Sequence, residues 1–150
     1  MINPNEKAKA ISNNIIKDGI FIVKNYEKIE GKTIKNIISL SIKSMPATLF
    51  LTEDKFVYIN TVYTDYDDEF EETLVGRKLI DKNDFKSELM RGSMHPFTLQ
   101  KLESMGVIDI NSIDEYKRYK AKQAKIDYEN YQKELEYKRY IELKEKYESK

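Results

Sequence analysis

The chain contains no cysteine and no tryptophan, a single histidine, and only five glycines and three prolines in 150 residues. Without cysteine there is no disulfide, no thiolate nucleophile, no iron–sulfur ligation and no Cys-type zinc site. His95 alone supplies no imidazole cluster for a metal and no second imidazole for a proton relay. An excess of one charge is missing as well: 26 Lys and Arg balance 26 Asp and Glu. The molecule therefore has no net field to draw it onto nucleic acid or an anionic membrane. The longest apolar run, Ile20-Phe21-Ile22-Val23, is far short of the roughly 20 residues that span a bilayer. Residues 1–7 show no basic stretch leading into an apolar one, so no secretory leader is expected. Lys, Ile, Asn, Tyr and Glu dominate, all with AT-rich codons, which suggests a low-GC bacterium or its phage. The expected location is the cytoplasm of a bacterial host, or a virion.

What is present is unevenly distributed. The first 112 residues hold 15 basic and 17 acidic side chains, the last 38 hold 11 and 9, and every Gly and Pro precedes residue 107. Residues 1–112 therefore read as a small domain with turns, and 113–150 as one uninterrupted helix. Within the domain, 5–17 fits a helix with Asn3 or Asn5 as cap, Pro4 in its first turn and Gly19 as its stop. Residues 20–26 are β-branched and aromatic enough for a strand. Residues 33–45 fit either period; the Gly31-Lys32 turn before them favours a strand.

The clearest local signal is a hairpin near 48–63, in which two apolar runs flank Thr52-Glu53-Asp54-Lys55. Leu74-Val75 reads as a short apolar piece ended by Gly76, followed by two short helices. One covers about 83–90, capped by Asn83 or Asp84 and ended at Gly92; the other covers about 96–105, with Ser93 or His95 before Pro96 and Gly106 after. The expected fold class is α+β: a small antiparallel sheet with short helices, followed by the long C-terminal helix.

That helix carries most of the functional information. At about 1.5 Å per residue it reaches roughly 50–55 Å, against a radius of gyration near 13 Å for a domain of about 110 residues. At about 100° per residue, Ile113, Ala121, Ala124, Tyr128, Tyr131 and Leu135 form one stripe. Tyr119, Ile126, Tyr137, Tyr140 and Tyr147 form another, nearly opposite, with Tyr116 between them. A helix serving only its own domain needs one stripe; two imply two neighbours. Seven of the 11 tyrosines lie here, and Tyr offers large contact area with a polar tip at low rotamer cost. The partner-binding candidates are thus Tyr116, Tyr119, Ile126, Tyr128, Tyr131, Leu135, Tyr137, Tyr140 and Tyr147.

Tyr-Lys-Arg-Tyr occurs at 116–119 and again at 137–140, a pairing of stacking and basic residues that could hold a single strand. The nine acidic residues of the same helix make it a poor phosphate track, so a nucleic-acid accessory role ranks last. The acidic run Asp65, Asp67, Asp68, Glu69, Glu71 and Glu72 resembles a calcium loop only in part. Phe70 stands where an EF-hand needs Gly, and Gly76 where it needs Glu. A solvated loop, or a contact for a basic partner, suits it better. No P-loop or dinucleotide fingerprint occurs, Ser93 beside His95 does not make a triad, and 97–108 offers only Lys101 as a basic DNA-reading side chain.

The expectation is a non-enzymatic assembly subunit without cofactor, metal or catalytic residues, docking on other protein subunits, its own copies or foreign ones. A phage virion component (connector, tail or capsid-associated) is the setting the composition suggests. The alternative is a phage- or mobile-element-encoded inhibitor of a host defence protein, acting through the acidic run.

Overall fold

The computed structural model describes residues 3–66 and 72–149. Nine regular elements follow one another: α1 (Pro4–Ser12), β1 (Phe21–Val23), β2 (Ile34–Ile42), β3 (Met45–Thr52), β4 (Phe56–Tyr66), β5 (Glu72–Leu79), α2 (Lys82–Arg91), α3 (Pro96–Ser104) and α4 (Ile110–Glu148), with a 3-10 turn at Tyr26–Ile29. This is the expected α+β architecture.

The sheet grows from the hairpin. β3 and β4 pair antiparallel from Ala47↔Thr61 to Leu51↔Val57, and β2 adds antiparallel to the other side of β3. β1 and β5 lie end to end along the remaining edge of β4. β5 is antiparallel over residues 60–66 of β4, whereas β1 is parallel, with Phe21↔Phe56 and Val23↔Tyr58. The sheet is therefore antiparallel apart from this three-residue strand, after which the chain crosses to β2 at the opposite edge.

Alternation decides which face is core. Ile38, Leu40 and Ile42 of β2, Ala47, Leu49 and Leu51 of β3, and Val57 and Ile59 of β4 are buried in one cluster with Phe85, Leu89, Leu102 and Ile113 of the helices. The two chain segments flanking the domain are stitched together beneath it. Ile16 and Ile108 form an isolated antiparallel bridge; Lys17 N donates to Val107 O at 2.9 Å, and Asp109 N to Ile15 O at 2.8 Å. Ile15, Ile16, Val107 and Ile108 are all buried. That stitch explains why α1 ends at Ser12 rather than near Lys17: Ile15 and Ile16 leave the helix to serve the core, Ile16 within the bridge.

Other boundaries move for local reasons. Gly76 does not break the chain; it sits inside β5 opposite Tyr63, where the register shifts between Tyr63↔Gly76 and Thr64↔Leu74. Val75 becomes the extra residue of a bulge, a place where glycine is tolerated in a strand. α2 is capped by Asp81 instead of Asn83 or Asp84. Asp81 accepts from Asp84 N while the Asp84 carboxylate accepts from Asp81 N, a reciprocal capping box. Gly92 closes α2 in left-handed backbone at φ 79°. His95 caps α3 through Nδ1, which accepts from Phe97 N at 3.1 Å, so neutral His95 carries its proton on Nε2. α4 begins three residues before the expected start, with Asp109 as its cap, so Asp114-Glu115 fall beyond the first turn.

Candidate protein interface

Among the described residues, α4 is built into the domain along its first turns only. Asp109 Oδ1 accepts from Asn111 N and its Oδ2 from Ser112 Oγ, while Glu103 Oε2 of α3 accepts from Ile110 N at 2.7 Å. These side chains satisfy donors that the first turn of a helix leaves open. Ile113 is fully buried and Tyr116 half-buried against the core. Tyr119 meets α1: its hydroxyl donates to Pro4 O at 3.2 Å, and Lys7 Nζ stands 5.2 Å from its ring centroid. The anchored direction therefore lies between the two stripes, taking Ile113 from one and Tyr119 from the other.

Beyond Gln123 the helix stands clear of the described residues of the domain. The 25 residues 124–148 project roughly 35–40 Å, and apart from the half-buried Ile141 their large apolar side chains stand 40% exposed at Ile126 to 65% at Tyr137 and Tyr147. Tyr128, Tyr131, Leu135 and Tyr140 lie within that range. Both stripes are open along this length, so neither is spent on the chain's own domain. Ala121, Ala124, Tyr128, Tyr131 and Leu135 recur at spacings of 3, 4, 3 and 4, the a/d rhythm of a coiled-coil seam. The spacing suits a partner helix laid along it. The helix draws support from its own charges too: Gln123 Nε2 donates to Asp127 Oδ1, and Glu129/Lys133, Glu134/Lys138 and Glu142/Lys146 fall at i, i+4.

The acidic run is placed only in part. Asp65 is in β4 and Glu72 opens β5, paired through Asp65↔Thr73 and Tyr66↔Glu72; Asp67, Asp68, Glu69 and Glu71 lie outside the described residues. Two ends of the expected loop are thus hairpin backbone. Among the described residues, no three His, Asp or Glu side chains converge as metal ligands, and no helix is long and apolar enough to cross a membrane.

Sequence reading missed a second polar constellation because its members are far apart in the chain. Lys43 and Ser44 turn the β2–β3 hairpin at φ 51° and 64°, left-handed values that side-chain-bearing residues seldom adopt. Glu88 of α2, itself buried, accepts from Lys43 N at 3.2 Å, and Asp84 accepts from Lys43 Nζ at 3.3 Å. The Asp84 carboxyl is held below the ordinary carboxylate range, chiefly by the Asp81 N–H it accepts and then by Lys43, against an opposing desolvation. α2 thus grips the turn through two carboxylates.

Comparison with known proteins returned no match: no family model fits the chain, and neither a curated protein nor a solved structure is significantly similar to it.

Proposed function

We propose that this chain is a non-enzymatic assembly subunit whose α4 docks on further copies of the same chain through the stripes beyond Gln123. The observation that carries the reading is the burial contrast along one helix. Ile113 is 1% exposed while Tyr128, about four turns further on, is 63% exposed. Packing of an apolar face supplies most helical stability in proteins, and the apolar side chains of residues 124–148 are left largely exposed. A chain that keeps five tyrosines on this projecting segment is equipped for a surface that is open before assembly and closed after it. The composition is the support for setting this assembly in a phage virion.

The test is a triple substitution, Tyr128→Ala, Tyr131→Ala and Leu135→Ala. It touches nothing in the domain core, so the thermal midpoint of the domain should hold while the assembled mass seen by light scattering is lost. Unchanged assembly in that variant would refute the reading.

A further inference from the structure

β2 ends the sheet: β3 covers one side, and no strand lies on the other among the described residues. Unpaired strand edges are templates for another chain, and folded proteins commonly blunt them. Here the edge opens onto a cleft of about 550 Å³, within the size range of pockets that take ligands, roughly 300–1,000 Å³. Ser39, Leu40 and Ser41 all line it. Their side chains alternate between faces, so what the three share is the strand's backbone edge. The opposite wall is the α2–α3 connection, with Met94 and His95.

Two further features give the cleft a chemical preference. Glu88 lines it with a side chain only 6% exposed. Its contacts are long, 3.2 Å to Lys43 N, 3.5 Å to Ser93 Oγ and 3.9 Å to Arg91 Nη1, and a carboxylate offers about four acceptor positions. Beside the cleft, Phe97 sits in the chain between the lining residues His95 and Thr98; it stacks on His95 at 5.7 Å and 11° and is the most exposed large apolar residue among those described, at 70%. The sheltered carboxylate suits a cationic side chain by charge-assisted hydrogen bonding, and the exposed Phe97 ring beside the cleft adds a face for cation–π attraction.

We propose that the cleft between the free edge of β2 and the α2–α3 connection binds an extended segment of another protein. The segment adds to β2 as a further strand and sets an arginine or lysine against Glu88. Main-chain pairing supplies general affinity and the Glu88 pocket supplies selectivity. No α4 residue lines the cleft, so this surface stands or falls separately from the assembly helix.

The experiment uses the full chain and three fluorescein-labelled nine-residue peptides of alternating valine and threonine. One has a central arginine, one a central glutamate, and one is the arginine peptide with every backbone nitrogen methylated. Fluorescence anisotropy should show the arginine peptide binding at least about tenfold more tightly than the glutamate peptide, a difference near 1.4 kcal/mol. The methylated peptide should not bind, because it cannot pair with the edge. Glu88→Gln, with its fold checked by thermal melting, should bring the arginine and glutamate peptides to within about twofold of each other. Equal binding of the two peptides to the unmodified chain, no binding of either, or undiminished binding after methylation would overturn the proposal.

Discussion

The Tyr119 hydroxyl donates to the Pro4 carbonyl oxygen, and this bond joins the first turn of α1 to α4 at the edge of the domain. The flanks of the bond differ sharply. Toward the N-terminus of α4 lie Tyr116 and the fully buried Ile113; toward its C-terminus lie exposed tyrosines. Ile113→Ala should therefore destabilise the domain by about 2–4 kcal/mol, the cost of a core truncation with its cavity. Tyr119→Phe removes one partly exposed hydrogen bond and should cost about 0.5–1 kcal/mol. Urea denaturation of the two variants checks the order. A cut after residue 112 would discard Ile113 along with the helix, so a truncation that spares the domain has to run to about residue 123.

The β2–β3 turn holds left-handed backbone at Lys43 and Ser44 without glycine. An L-residue in this conformation costs about 1–2 kcal/mol, and such turns favour glycine. Ser44→Gly should raise stability by about 0.5–1 kcal/mol, the extra flexibility of the unfolded glycine offsetting part of the relief. A fall in the denaturation midpoint would mean that the Ser44 side chain does more for the fold than its backbone strain takes away.

Asp84 fixes an expected response to acid. Its carboxyl titrates below the ordinary value of 3.8 in the folded chain because the Asp81 N–H and Lys43 favour the ionised form. The unfolded chain takes up that proton first as pH falls. The stabilisation is thus fully present above pH 3.8 and is lost as pH drops below it toward the folded value. Asp84→Asn should flatten the decline of stability in that acid window and leave the slope near neutrality unchanged. Asp81→Ala, which removes the cap itself, should cost about 1 kcal/mol at neutral pH.

Hydrogen exchange should divide α4 in two. Amides of residues 113–120, beneath Ile113, Tyr116 and Tyr119, should exchange only with unfolding of the domain. Those from residue 124 onward should exchange near peptide rates in dilute protein and slow when the stripes are covered. Uniform protection along all of α4 at the lowest concentration would mean that the distal helix is stable by itself.

Much of the fold is legible in the residues because local signals agree with tertiary needs. Leu49, Leu51, Val57 and Ile59 alternate inward around a polar turn, and no Gly or Pro interrupts α4. Where reading failed, a long-range contact outweighed a local cue. Gly76 has the look of a stop until Tyr63 lies opposite it across a bulge. Residues 13–17 look helical until Ile16 meets Ile108. For the sites, the stripes of α4 are visible as periodicity, because a helix lays out its own surface. The cleft is not, since Glu88 and Lys43 are brought together across the chain by α2 packing over the hairpin.

The claim that α4 is an assembly surface is tested most directly by the solution mass of the full chain, measured by light scattering over a concentration series, beside a truncation ending at residue 123. The account predicts a defined oligomer for the full chain and a folded monomer for the truncation. A monomer in both, at every concentration, would contradict it.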